Sequence, residues 1–244
     1  MAHRAALALM MLCMLCACNR PDAWDCIKTT GSASLVNRPL PPFRCVRLFH
    51  NLRVNLIQDT LERVEIRGGK NLLPSIGTQV VGDTLYLKNH NTCNFSRNLQ
   101  DSIVVFLHYK KLQYLRYEGM GYIHLVNPLK DSIFIFESWN GSGGIQGEID
   151  VKVASFAVHT GPADVLIKGK ADVLYVYGAG QGVVKTRDLN AHDVYLTHKG
   201  SNDWEINTTR ALYATLFSDG NVAYWGAPPV VMATLKGKGK LLPE

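Results

Sequence analysis

The 244-residue chain has no stretch with a convincing 3.6-residue apolar period and helix caps, which excludes a helical bundle from the start. It has no CxxC and no clustered His/Cys set, so a zinc centre is not expected. Its 26 Lys and Arg are scattered, with only Lys110-Lys111 and the terminal Lys236, Lys238 and Lys240 close together. Tracking phosphates takes a concentrated basic stripe; the formal charge of +6 therefore reads as a solvated surface, and nucleic acid is not an expected partner. No Ser/His/Asp or Cys/His arrangement for nucleophilic catalysis stands out. The run Val176-Tyr-Gly178-Ala-Gly180-Gln-Gly182 imitates a dinucleotide loop. It lacks the third glycine, valine standing at 183, and a strand pattern follows it where a helix N-terminus is needed for the pyrophosphate. No cofactor is expected. A content of 47% hydrophobic and 19% charged residues excludes global disorder.

What is present begins with an address. Residues 1–17 carry Arg4, an apolar run from Ala5 to Leu15 and small residues near the end, the pattern of a signal peptide too short to span a bilayer. The end of this segment, Leu15-Cys16-Ala17-Cys18, resembles the bacterial lipoprotein box. That resemblance implies cleavage before Cys18 and a diacylglycerol anchor on its sulfur, placing the chain on a membrane of the cell envelope, with the outer membrane expected; the alternative is plain secretion. Of the six cysteines, Cys26, Cys45 and Cys93 then remain, and an oxidising compartment permits one disulfide among them. Cys26 and Cys93 sit in polar, turn-like surroundings and form the expected pair, whereas Cys45 lies in a strand pattern as a small buried hydrophobe. Residues 18–42, polar and proline-rich, are expected to be a flexible tether.

From residue 43 to about 111, alternating apolar pairs such as Val46/Leu48, Val54/Leu56, Val64/Ile66 and Leu85/Leu87 predict strands, with room for one helical turn between Gly69 and Ile76. From residue 112 to 244 a glycine signal recurs: Gly119, Gly141, Gly161, Gly180, Gly200, Gly220 and Gly237, spaced 22, 20, 19, 20, 20 and 17 residues apart. A period near 20 residues marks a solenoid. Four and six residues beyond the glycines stand Ile123/Leu125, Val165/Ile167 and Trp204/Ile206; six and four before them stand Leu174/Val176 and Val194/Leu196. Two half-buried strands per coil with a glycine corner between them predict an all-β parallel β-helix.

The segments Gly69-Lys-Asn71-Leu-Leu-Pro74, Asn89-His-Asn91-Thr-Cys93-Asn94 and Tyr224-Trp-Gly226-Ala-Pro228, with the glycine corners, resemble the bacterial auto-transporter adhesin family with a head GIN domain. The likeness runs from about Phe43 to Leu242 and departs from the pattern at Pro162-Ala163, Asn202 and Val222. It implies a right-handed β-helix on an envelope lipoprotein and brings no catalytic residues with it.

Five residues before the corner glycines stand Tyr114, Phe136, Phe156, Tyr175 and Tyr195, with Tyr177 and Phe217 beside that column. If the flanking positions face inward, this aromatic column faces outward as a binding surface for a glycan or protein. The alternatives are cover by the N-terminal strands or a partner subunit, or a reversed register that makes the column core. His159 and His198 share the slot two before the glycine, spaced too far apart for one metal ion. Asp164 and Asp203 share another column, two coils apart, with Val183 between. Four Asp-Ser/Thr-apolar triplets, at Asp59, Asp83, Asp101 and Asp131, are similar to a bacterial O-glycosylation sequon and equally fit turn-to-strand junctions. The expected function is a lipid-anchored envelope binding module without catalysis. The alternatives are a self-associating structural component or a polysaccharide-active enzyme, which needs a carboxylate pair in one groove.

Overall fold

A computed structural model of the chain describes residues 28–92 and 103–244. The chain enters the fold through β1 (Ala33–Pro39), β2 (Cys45–His50) and β3 (Arg53–Gln58). It continues through β4 (Arg63–Gly69), a 3-10 turn at Leu73–Ser75, β5 (Ile76–Val81), β6 (Thr84–Asn89) and β7 (Val104–Tyr109). The helical turn lies where the sequence leaves room for one. Part of the expected tether is corrected: residues 33–39 form β1, which pairs antiparallel with β4 along its whole length, Val36 opposite Ile66. The segment Leu35-Val-Asn-Arg alternates well enough to take up the open edge of β4. Cys18, and the Cys26–Cys93 pairing, lie outside the described residues. Cys45 is a free, half-buried thiol on β2, pushed up in pKa by burial and then by Asp83.

The repeating part follows as β8 (Tyr114–Gly119), β9 (Tyr122–Leu125), β10 (Leu129–Ser138), β11 (Gly143–Val158), β12 (Ala163–Gly178), β13 (Val184–His198) and β14 (Trp204–Leu216). The chain closes with β15 (Val222–Trp225), β16 (Val230–Leu235) and β17 (Leu241–Pro243). All of these pair in parallel with the equivalent segment about one coil on, as in Ile123–Ile145–Val165–Val184. The molecule is a parallel β-solenoid. Its interior is one continuous column of buried apolar side chains, because period-two alternation sends Ile145, Val165, Val184, Trp204 and Ile206 inward on one side and Leu174, Val176, Val194, Leu196 and Leu212 on the other.

The stacking begins earlier than the glycine signal. β2 and β3 form a coil lying directly against β8 and β9, with Val46 beside Leu115 and Val54 beside Ile123. The chain then runs away from the repeats. β6 and β7 stack in parallel on the far side of β2 and β3, while β4 and β5 pair antiparallel with β7 and β6. These antiparallel strands close that end. Arg38 of β1 donates from its guanidinium to the carbonyls of Ile76 (2.6 Å) and Leu73 (3.2 Å) and to the Thr78 hydroxyl (3.0 Å), tying the two sheet edges over the buried Leu72, Leu73 and Ile76.

At the corners the glycines pack backbone on backbone. A Cβ on Gly143, Gly161 or Gly200 would stand 2.6, 2.5 or 2.6 Å from the carbonyl oxygen of Gly121, Gly141 or Gly180 in the neighbouring coil. In the last corner it is Gly239 that meets the Gly220 carbonyl; Gly237 lies against Ser218. The long strands also bend at Gly147 and Gly169, at φ +143° and +114°, a second set of glycines that the corner spacing does not reveal. Gly200 has no left-handed φ, so Gly200→Ala isolates the close approach; it should cost about 1–3 kcal/mol in urea unfolding. Gly82, at φ +62° with nothing within 4 Å of its would-be Cβ, should accept Gly82→Asn for less than about 1 kcal/mol. Equal costs for the two variants would show that carbonyl contact does not set the coil spacing.

Candidate functional site

The coils present two outward sheet faces of opposite character. One, built from β9, β15, β17 and the first parts of the long strands, carries cross-coil ion pairs: Lys168–Glu148 at 3.5 Å, Lys170–Asp150 at 3.3 Å and Lys185–Glu205 at 3.6 Å. The other, built from β8, β16 and the final parts of β10 to β14, carries aromatic and hydroxyl side chains. On it one column runs Tyr114, Ile135, Ser155, Tyr175, Tyr195, Tyr213 and Met232. The next column runs Tyr177, Thr197, Thr215 and Thr234.

The expected aromatic column is therefore divided. Tyr175 and Tyr195 face outward, 45% and 39% exposed, but Phe136 and Phe156 are fully buried. The cause is corner length. The strand ends Ser138, Val158, Gly178 and His198 are mutual neighbours, yet the glycine follows three residues later at Gly141 and Gly161 and two later at Gly180 and Gly200. One residue of slip exchanges the two faces of a strand. Phe136 accordingly stacks on Tyr117 in the core at 6.2 Å, and Phe156 packs against Phe136 at 6.4 Å, tilted by 49°. Tyr114 stays in the outward column, half-buried, donating to Glu137 at 2.8 Å; its pKa is pushed up to about 12 by burial and then by that carboxylate. Tyr213 joins the ladder although glycine counting misses it. The apolar-Tyr-apolar triplets Leu174-Tyr-Val176, Val194-Tyr-Leu196 and Leu212-Tyr-Ala214 carry the signal.

The ladder is regular. Tyr175 and Tyr195 stack at 5.2 Å and 19°, Tyr195 and Tyr213 at 4.8 Å and 7°. Rings so close cannot lie side by side in one plane, so they stand as overlapping plates with edges and hydroxyls toward solvent. Burial pushes the Tyr195 hydroxyl up in pKa, followed by its neighbours Tyr213 and Asp193. A groove of about 470 Å³ follows the tyrosine and threonine columns from Ser155 to Thr234. Beyond the threonines Lys199 and Lys236 lie over Phe217 at 5.2 and 4.6 Å, and on the other flank Arg210 is paired with Asp193. A larger cavity of about 590 Å³ sits at the N-terminal end, where Arg67 already lies over Phe106 at 4.4 Å.

The remaining sequence candidates are structural parts of the corners. Asp164 Oδ1 accepts the Val183 N–H at 3.0 Å and Asp203 Oδ1 the Asn221 N–H at 2.8 Å, so each carboxylate of that column staples one coil to the next. The Val176–Gly182 run is a corner in which Gly180 and Gly182 meet the Gly161 and Ala163 carbonyls and Gly178 lies against the Trp204 ring. His159 and His198 do not share a column, again because of the extra corner residue: His159 stacks on Trp139 at 4.0 Å and His198 on Trp204 at 3.9 Å. Asp59 holds His108 at 2.8 Å and Arg63 at 2.9 Å, an acid–histidine pair next to a strand turn. Among the described residues no group of three His, Cys, Asp or Glu is arranged to hold a metal ion.

These features define a parallel β-solenoid with one charged and one aromatic face. Residues 42–228 match the family "Putative auto-transporter adhesin, head GIN domain", and the chain belongs to that family. Among solved structures it is similar to a putative adhesin from Bacteroides fragilis NCTC 9343, at TM-score 0.77 and 19% identity over 87% of this chain and 97% of that one. A putative adhesin from Parabacteroides merdae ATCC 43184 gives TM-score 0.71 and 19% identity over 88% and 97% of the two chains. A putative lipid binding protein from Parabacteroides distasonis ATCC 8503 gives 0.62 and 17%, over 88% and 97%. At these identities the likeness shows a shared fold. No curated protein matches the chain.

His198 gives the corner a pH dependence. Its Nε2 donates to the Asn202 carbonyl at 2.7 Å and its Nδ1 accepts the Gly200 N–H at 3.3 Å, which fixes the neutral ring, and burial lowers its pKa. The unfolded chain, titrating near the ordinary value of about 6.5, then binds the proton more readily than the folded one. Stability is full above that pH and declines as pH falls below it toward the lowered folded value. Asp59, held at about 2 by the Thr60 N–H, then His108 and Arg63, acts in a separate window, losing its contribution between the ordinary carboxylate range and pH 2. Urea midpoints should fall between pH 7.5 and 5.5 in the wild type and fall less in His198→Phe; identical slopes would remove His198 as the cause.

Proposed function

We propose that the protein is a lipid-anchored binding module of the bacterial cell envelope, without catalytic activity, held to the membrane by acyl chains on Cys18 and engaging its ligand on the aromatic face. The observation that carries this is the contrast between the two faces. A solvated β-solenoid needs charge ladders on its outside, and one face has them. The other spends the same positions on Tyr175, Tyr195, Tyr213, Tyr177 and Phe217, with its few charges paired or lying over rings. Exposed, ordered aromatic rings that displace charge are the composition of a recognition surface. Membership of the family described as putative auto-transporter adhesin, head GIN domain, supports a binding role. The two carboxylates that share a column in the sequence, Asp164 and Asp203, are engaged as corner staples.

Two experiments test the two halves of this reading. Cys18→Ser should move the protein from the membrane pellet to the soluble fraction and abolish incorporation of labelled palmitate; a variant that stays in the membranes after a high-salt wash excludes the acyl anchor. The double variant Tyr175→Ser/Tyr195→Ser should lose at least about tenfold in retention on host or bacterial cells. It should cost only about 1 kcal/mol of stability, since the rings stack on the surface. Undiminished retention by a folded double variant rules out this face.

A further inference from the structure

We infer that the groove beside the tyrosine ladder binds one extended, neutral polysaccharide strand running along the solenoid axis; this rests on the binding-face reading above and gives it a ligand class. The first argument is chemical. The groove is walled by phenol and threonine hydroxyls and floored by the sheet, and no charged side chain lines it. Hydroxyls donate and accept, and rings offer apolar edges, which matches a polyol with apolar C–H faces. Arg210 is paired with Asp193, and Lys199 and Lys236 stand outside the lining, over the rings of Phe217 and Tyr177, so no charged side chain within the groove selects an ionic ligand.

The second argument is geometric. Two successive coils present the same Tyr–Thr pair, Tyr195/Thr197 and Tyr213/Thr215, flanked by Tyr175/Tyr177 and Met232/Thr234, and the three tyrosine rings recur at the coil spacing, 5.2 and 4.8 Å apart. A polymer with a similar repeat makes the same contact at every step, and an extended β-linked pyranose chain advances by nearly this step per sugar. A peptide strand gains its affinity from unpaired backbone at a sheet edge, whereas the backbone beneath this groove is already paired on both sides by neighbouring coils. An acyl chain would bury the threonine hydroxyls without partners.

The third argument fixes the ends. Within the ladder, ring faces cover one another; at one end Met232 follows Tyr213, and at the other the small Ser155 follows Tyr175. The Tyr175 ring, 45% exposed, therefore keeps an uncovered face above Ser155, where a sugar can stack. From Ser155 to Met232 there are four coil steps, about 19 Å at the interstrand spacing, room for roughly four sugars.

The test is calorimetric titration of the full chain in detergent with linear β-1,4-linked oligosaccharides of glucose, xylose and mannose, two to six units long. Affinity for at least one series should rise with length to about four units and then level off. Tyr175→Ser should weaken it at least about tenfold, and Thr215→Val, which removes one hydroxyl, about three- to tenfold. Lys185→Ala on the charged face should leave it unchanged. Absence of binding to all three series, equal binding of polygalacturonate, or binding of phosphatidylcholine vesicles through Tyr175 overturns the inference. If in that case the tyrosine double variant still loses cell retention, the face stands and only the ligand class is wrong; if retention is also unchanged, both fall.

Discussion

Everything in this solenoid depends on a carbonyl oxygen of one coil occupying the place where a side chain of the next would begin. That contact, repeated from Gly121 and Gly143 to Gly220 and Gly239, leaves no room for a Cβ and so sets how closely the coils approach at their corners. Once the approach is set, the parallel ladders fall into register, and register decides which side chains point inward. The continuous apolar interior, the charge ladders on one face and the tyrosine ladder on the other are consequences of the same spacing.

The corners also explain where polar groups go. Asp164 and Asp203 look free in the sequence, but each accepts a backbone N–H from the following corner, and Asn221 passes the same arrangement on to Lys240 N–H at 3.0 Å. Tyr117 fills the space that its neighbouring glycines leave, its hydroxyl reaching the Gly121 and Ser142 carbonyls at 2.5 and 3.0 Å. Trp204 does the same against Gly178. Glycine on one coil and a large ring on the next are two halves of one packing unit, so the residue types that suggested cofactor or metal chemistry are needed to close the corners.

Much of this was legible from single residues. Glycines recurring near every twentieth position, with apolar residues four and six beyond them, were enough to predict the coil and its buried positions at Ile123, Val165, Trp204 and Ile206. The aromatic face is legible only in part, because the corners differ in length and glycine spacing is an uneven ruler. Counting from the glycines points Phe136 and Phe156 outward by one residue of slip and misses Tyr213, because Gly220 follows four residues after Leu216. The strands themselves are the better ruler, since apolar-Tyr-apolar triplets mark the outward tyrosine without reference to the corner. The first coil was hidden for a different reason. Its corner after His50, which takes φ +66°, has no glycine, and its partner coil lies more than sixty residues later in the chain. Pairing at such a distance leaves no local mark.

Because each coil touches only its neighbours, the molecule can change length without changing shape. Duplicating one segment of about twenty residues would insert a coil, carry the corner contact with it, and lengthen the tyrosine ladder by one ring at the same step. The array therefore grows in whole units: its reach is set by the number of coils, and its spacing by the backbone alone.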